Sequence, residues 1–193
     1  MSSKAEINRY LPVGLMDQLP IIEVKKGVVF IPAEAQEDID LYYILEGSVS
    51  VFAHSHSGRE FLIDTLPNGN FIGKFSQMRK QNFYCEVRAV SDCRLLVLTQ
   101  HKEALFRDKD FALYFYIRTT DRVYEMYKLS MARSLYGYHE LFAYWLLDLA
   151  NAERVVISKD EEIRLKMNIS ERQFFYLLKK FCGLEYILSL IHI

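Results

Sequence analysis

Between residues 111 and 133 the apolar and polar positions follow the spacing of one long helix. The apolar stripe advances in alternating steps of four and three residues and consists of Leu113, Ile117, Thr120, Tyr124, Tyr127 and Met131. Such a stripe is typical of a helix seam that packs against another helix. Charged residues between the stripe positions predict that the rest of the helix faces solvent; they are Arg118, Asp121, Arg122, Glu125 and Lys128. The seam fits either the core of the same chain or a second copy, and the position of the helix between two dissimilar regions favours a dimer.

Upstream of this helix the pattern is that of short strands. Runs rich in β-branched and aromatic residues occur at 28–31, 41–45, 49–52, 60–63 and 93–98. Turn-forming residues separate them at 26–27, 46–47, 56–58 and 67–69. Short, closely spaced strands with tight turns predict an antiparallel barrel or jelly roll. A helix-like mixture over residues 4–19 precedes the strands and is expected to end before Pro20.

On both sides of the long helix the pattern predicts further helices. Residues 100–106 form a short helix leading into the long one, Gly137 interrupts, and the strongly apolar residues 138–150 predict a buried helix. A small strand is indicated at 155–157. Two helices at 158–167 and 170–181, split by Asn168 and Ile169, have the spacing of a helix-turn-helix. The fold class is therefore α+β.

Composition and charge narrow the class of protein. The chain has 193 residues, about half of them apolar. The prior of about 150 residues per domain allows one large domain or two small ones, and two suit the change of pattern along the chain. A net charge of −1 provides no overall attraction to nucleic acid, so any basic surface is local. We find no signal peptide and no apolar stretch long enough for a membrane span, and we expect a cytoplasmic protein without membrane contact. Three unclustered cysteines, Cys85, Cys93 and Cys182, suggest neither disulfides nor a metal knuckle.

The order of these elements resembles the Crp/Fnr family of bacterial transcription regulators. The motifs that carry the resemblance are residues 41–51 (LYYILEGSVSV), 58–60 (GRE), 69–73 (GNFIG), 146–150 (LLDLA) and 169–172 (ISER). The resemblance implies a cyclic-nucleotide-binding-like β-roll sensor domain at 1–110, a dimerisation helix at 111–136 and a helix-turn-helix DNA-binding domain at 137–193. It implies a homodimer that binds a palindromic operator on double-stranded DNA, with RNA polymerase as a further candidate partner. We expect no enzymatic activity and no cofactor.

The DNA-binding end has its own physical signature. Ser170 is a good helix N-cap, and the helix that follows presents Glu171, Arg172, Gln173 and Tyr176 along its first turns. In a helix-turn-helix such side chains meet base edges in the major groove, where arginine recognises guanine. Lys179 and Lys180 are expected to contact phosphates.

Residues 184–193 depart from the family pattern. They are too short and too apolar for the β-hairpin wing that usually follows the recognition helix, so we expect the wing to be missing or truncated. An unpaired apolar tail also favours aggregation.

The residues predicted for the effector pocket also differ from the family pattern. Family members that bind cyclic nucleotides place a glutamate after the pocket glycine and an arginine with serine or threonine on the phosphate. Here Lys74 follows Gly73, and Phe83, Tyr84 and Cys85 replace the phosphate-binding group. Further candidate pocket residues on the long helix are Arg122 and Tyr127. A buried phosphodiester without its guanidinium loses strong charge-assisted bonds, so we expect an effector other than cyclic AMP, or none. Iron–sulfur sensing is excluded because the N-terminal region lacks cysteines.

Two rival interpretations stay open. Gly47, His54, His56 and Glu60 resemble the metal-binding motif of cupins, although a turn separates the histidines from the glutamate and a later histidine is missing; we expect no metal. The chain also fits a dimeric interaction module whose DNA-binding end is degenerate. Steep salt dependence of DNA binding would separate a regulator from such a module.

Overall fold

The β-roll is built from two four-stranded antiparallel sheets. The computed structural model describes residues 2–33, 40–55, 58, 60–73, 85–151 and 161–184. The strands are β1 (Ile21–Val24), β2 (Val29–Ile31), β3 (Tyr42–Glu46), β4 (Ser48–His54), β5 (Glu60–Pro67), β6 (Phe71–Ile72), β7 (Cys85–Ala89) and β8 (Cys93–Val97). One sheet has the order β1-β8-β3-β6 and the other β2-β7-β4-β5. The antiparallel roll predicted from the short strands is confirmed.

Alternating side chains divide the interior of the roll into two clusters. In β3, Ile44 points into the cluster between the sheets, with Val49 and Leu95 as neighbours. Its neighbours Tyr43 and Leu45 point the other way, into a cluster that helices cover. This second cluster is where the long helix packs on the roll.

The helices are α1 (Ser3–Ile7), α2 (Lys102–Arg107), α3 (Lys109–Leu135), α4 (Tyr138–Asn151), α5 (Glu161–Met167) and α6 (Glu171–Gly183). The N-terminal prediction was too long, because the helix of residues 4–19 ends at Ile7 and turns follow. The long helix, the break at Gly137 and the two helices of the helix-turn-helix are confirmed. The small strand predicted at 155–157 lies outside the described residues, and so do residues 185–193, where the wing is expected to be missing or truncated.

The long helix α3 buries a different face from the one predicted. Phe111, Tyr114 and Phe115 are at most 5% exposed and pack on the roll around Phe71. The whole predicted stripe is exposed instead, with Leu113 at 53% and Tyr127 at 63%. Two of the supposedly solvent-facing charges, Arg118 and Arg122, contact the roll. The interpretation of the stripe as an intrachain core is therefore wrong within the described residues.

The chain divides into two compact units, residues 1–126 and 127–193. The core of the second unit contains Phe142 from α4, Ile163 from α5, and Phe174 and Phe181 from α6. Helix α4 was expected to be buried, but Tyr138 and Leu147 are 57% and 66% exposed. These two side chains lie nine residues apart, on opposite sides of the helix, so α4 is buried over only part of its surface.

Candidate functional site

The N-terminus of α6 is fixed by its own side chains. Ser170 has an extended backbone, and its Oγ accepts a hydrogen bond from the backbone N–H of Gln173 at 3.3 Å. The Oε1 of Gln173 accepts in return from the backbone N–H of Ser170 at 3.0 Å, which completes a capping box. Gln173 was predicted to read bases, and this contact commits one of its two polar atoms to the helix itself.

The two faces of α6 differ in chemistry. Phe174, Leu177 and Phe181 are buried against α4 and α5. The predicted DNA-contacting residues lie on the opposite, exposed face; they are Glu171, Arg172, Gln173, Tyr176, Lys179 and Lys180. Three of these residues, Arg172, Lys179 and Lys180, carry a positive charge. The exposed face therefore presents cations and hydrogen-bonding groups from a rigidly packed helix.

His139 in the first turn of α4 joins this face and was missed by the sequence reasoning. Its Nε2 lies 3.1 Å from the Nζ of Lys180, and its ring packs edge-on against Tyr176 with 6.3 Å between centroids. The 41-residue separation from Lys180 gives no local sequence signal for this contact.

Arg133, near the end of α3, is a second residue that the sequence did not reveal. Its Nε donates a 2.7 Å hydrogen bond to the backbone carbonyl of Lys166 in the last turn of α5. Burial lowers the pKa of Arg133. Helix ends leave unpaired carbonyls, so Arg133 acts as a C-terminal cap for the first helix of the helix-turn-helix.

The structure describes four of the six residues predicted for the effector pocket. Gly73 follows β6 with a φ of 85°, while Lys74 and Tyr84 lie outside the described residues. Cys85 is buried at the start of β7, and burial raises its pKa to about 11. Tyr127 is exposed on α3. The pocket assignment stays a prediction.

Arg122 is already engaged by an internal carboxylate. Its Nη2 and Nε donate to the two carboxylate oxygens of Asp64 in β5, with the Nε contact at 3.3 Å. The Nη2 also donates to the backbone carbonyl of Thr65 at 3.1 Å. Both side chains are largely shielded, at 18% and 10% exposure.

Two residues of the cupin-like motif, His54 and Glu60, belong to a cluster of potential metal ligands. His54 and Glu60 are partners across the β4–β5 ladder, and with Glu86 they form a group that could hold a metal ion. Arg88, however, bonds to Glu60 at 2.7 Å and to Glu86 at 2.5 Å, so both carboxylates already have a guanidinium as their partner. Gly47 lies in a tight turn against Asp92 and Cys93, and His56 lies outside the described residues.

No helix in the described part of the chain is long and apolar enough to cross a membrane.

Comparison with known proteins gives one family match and many similar folds. Residues 21–110 match the family model of the cyclic nucleotide-binding domain. By sequence the chain matches no curated protein. The c-di-GMP-responsive global regulator CLP of Xanthomonas campestris has a TM-score of 0.75 at 15% identity, covering 93% of this chain and 92% of that one.

Two further solved structures have similar scores. A CRP/FNR-family transcriptional regulator of Thermus thermophilus has a TM-score of 0.68 at 18% identity, covering 88% of this chain and 89% of that one. FixK2 of Bradyrhizobium japonicum has a TM-score of 0.65 at 14% identity, covering 86% of both chains. At these identities the likeness shows the fold, and the function has to be argued from the site.

Proposed function

We propose that this chain, which carries a cyclic nucleotide-binding domain at residues 21–110 and has the fold of the Crp/Fnr transcriptional regulators, is itself a DNA-binding transcriptional regulator. It acts as a homodimer on a palindromic operator and responds to an effector other than cyclic AMP, or to none. RNA polymerase is the protein partner that such a regulator would contact.

The observation that carries this proposal is the presentation of α6. A capped helix packed through Phe174, Leu177 and Phe181 exposes Arg172, Tyr176, Lys179 and Lys180 together. Arginine at the N-terminal end of a recognition helix can read guanine bidentately, and lysines further along can contact phosphates. On a chain of net charge −1 such a local cationic face supports nucleic acid as its ligand.

The exposed stripe of α3 supports the dimer. Its apolar members Leu113, Ile117, Tyr124, Tyr127 and Met131 are between 43% and 63% exposed in the isolated chain. Heptad-like spacing suits pairing with a second copy of the same helix, because a two-fold seam repeats the same stripe on both partners. Two-fold symmetry then presents two recognition helices to half-sites about 34 Å apart on DNA.

The pocket residues argue against cyclic AMP. The sequence lacks the glutamate and the arginine with serine or threonine that hold the nucleotide in binding members. Among the pocket candidates that the structure describes, the one cation is Arg122, and it is bonded to Asp64. A phosphodiester in this pocket would be desolvated without a free guanidinium.

Selection of bound sequences from random double-stranded DNA tests the proposal. We expect the purified chain to select a palindrome, with a steep fall in affinity as salt increases because bound phosphates release counterions. In R172A, affinity should fall by about 1–3 kcal/mol and discrimination at one base pair should relax. In K179A, affinity should fall uniformly across sequences and the salt slope should decrease by about one.

Lys4 provides the matched control, because it is an exposed lysine of α1 in the other unit. K4A should match the wild type in affinity and salt slope. Failure to enrich any sequence, with a flat salt dependence, would contradict the regulator and favour the interaction module.

A further inference from the structure

The ion pair between Arg122 and Asp64 connects the long helix to the β-roll through shielded charges. Both carboxylate oxygens of Asp64 accept from Arg122, and the carbonyl of Thr65 accepts a third bond at 3.1 Å. Asp64 shares the inward parity of Leu62 and Leu66 along β5, and the residue is only 8% exposed. The Nε and Nη2 atoms of Arg122 are therefore both hydrogen-bonded to acceptors on the roll.

A second arginine one helical turn earlier extends the connection. The Nε of Arg118 donates a 2.8 Å hydrogen bond to the carbonyl of Gly69, in the turn between β5 and β6. Gly69 has a left-handed backbone with φ of 85°, which favours glycine, and a Cβ there would lie 2.9 Å from the Nη2 of Arg118, so the arginine side chain lies directly against the turn. The two arginines fasten α3 to both β5 and the turn that follows it.

Stability alone is a weak reason for such a pair. Replacing a buried ion pair by well-packed apolar residues is often neutral or stabilising, because removing two charges from water is costly. A shielded pair does impose one defined arrangement on the elements that it joins, because a buried charge without its partner is strongly unfavourable. The position of α3 on β5 therefore depends on an anion that pairs with Arg122. Here the anion is the carboxylate of Asp64, where it would otherwise be an anionic ligand.

Resting on the regulator function proposed above, we propose that Asp64 serves as a built-in replacement for an anionic effector. Its carboxylate occupies the guanidinium of Arg122 and fixes α3 to the β-roll without a ligand. An anionic nucleotide is excluded from Arg122 by competition with Asp64. Since α3 continues without a break to Leu135, the fixed helix keeps the protein competent to bind its operator in the absence of any effector.

Chemical rescue of the D64A variant tests the inference. The wild-type chain, freed of small molecules by refolding and dialysis, should bind its selected operator, and cyclic AMP should leave the affinity unchanged. D64A should lose at least about fivefold in operator affinity, within the usual range of coupling between sites. Sodium formate, whose carboxylate fits the space that Asp64 vacates, should restore most of this loss relative to sodium chloride at equal ionic strength.

Three further variants complete the experiment. D64A/R122Q should bind as weakly as D64A and show no recovery in formate, because the guanidinium is gone. D92A removes the carboxylate of an exposed pair with Lys25 on the same roll and should behave as the wild type in both salts. D64N keeps the shape of the side chain and should fold even if D64A does not. Because it lacks the negative charge that holds Arg122, it should bind the operator more weakly than the wild type.

The outcomes separate the inference from the function on which it rests. A wild type that binds no DNA contradicts the regulator and the inference together. A wild type that binds only with an added effector, a D64N that binds normally, or a folded D64A that ignores formate contradicts the inference alone.

Discussion

At the scale of single residues, burial decides the chemistry of the cysteines. Cys85 and Cys93 are 6% and 2% exposed, and burial raises the pKa of Cys85 to about 11 and also raises that of Cys93. The thiolate is the reactive form of cysteine, so neither residue suits redox sensing at neutral pH. Cys182 on α6 is more accessible.

We therefore predict one fast and two slow thiols when the native protein is treated with a chromogenic disulfide at pH 7.5. The fast phase belongs to Cys182 and should disappear in C182S, while denaturant should release the signal of Cys85 and Cys93. A fast phase that persists in C182S would show that one of the buried thiols opens to solvent.

Two glycines allow a matched comparison of backbone strain and close approach. Gly47 and Gly27 have nearly the same left-handed backbone, with φ of 85° and 84°. A Cβ at Gly47 would collide with the carbonyl oxygen of Asp92 and lie 2.8 Å from Cys93 Sγ, whereas a Cβ at Gly27 meets nothing. The two positions differ only in what surrounds them.

G27A should lower the free energy of unfolding by about 1–2 kcal/mol, the cost of a left-handed alanine. G47A should lose about 1–3 kcal/mol more, because the tight β3–β4 turn must move to relieve overpacking. Urea denaturation of both variants measures the difference. Equal losses would mean that the turn yields to the new side chain without cost.

At the scale of elements, α3 shows what the hydrophobic pattern could and could not predict. The pattern located the helix and its stripe, because spacing alone determines which residues share a face. It could not reveal the second face, where Phe111, Tyr114 and Phe115 pack on Phe71. Partners 40 or more positions apart in the chain leave no local signal for that contact.

The strands show the same limit. Most strands were located from their β-rich runs, but β1, β6 and β7 were missed: β6 has two residues, and β7 alternates buried and half-buried positions around charged Glu86 and Arg88. For the contact between Asp64 and Arg122, the sequence did contain a signal at Asp64. It is a carboxylate at a parity that Leu62 and Leu66 mark as inward, and such a buried charge requires a partner.

The exposed stripe of α3 predicts a dimer that one substitution can weaken. I117D places a charge in the middle of the seam and should raise the dimer dissociation constant at least about tenfold. Val123 has the same 46% exposure but flanks the stripe, so V123D is the control for the cost of aspartate in the helix and should have the smaller effect. Sedimentation equilibrium measures both, and equal effects would place the seam elsewhere.

At the scale of the whole molecule, buried tyrosines join the N-terminal segment, the roll and the long helix. Tyr43 and Tyr114 share a 2.8 Å hydrogen bond between their hydroxyls, and Tyr10 stacks on Tyr114 with 4.1 Å between centroids. Burial raises the pKa of Tyr43 and Tyr114, and raises that of Tyr42 to about 12. The folded state therefore favours the neutral phenols more strongly than the unfolded chain does, where tyrosine ionises near about pH 10.

A raised pKa in the folded state gives stability that is complete below the unfolded pKa and lost as the pH rises. We predict a constant free energy of unfolding between about pH 7 and 8, measured by urea denaturation at fixed protein concentration, a shallow fall above about pH 8 as the unfolded cysteines ionise, and a steep fall from about pH 10 to 12. Y114F keeps the ring but removes one ionisable group; it should be about 1 kcal/mol less stable at pH 7 and fall less steeply in alkali. Cys85 and Cys93 add to the fall in both proteins, so the difference between the two curves isolates the tyrosine pair. Parallel curves would mean that the buried hydroxyls reach solvent before the fold opens.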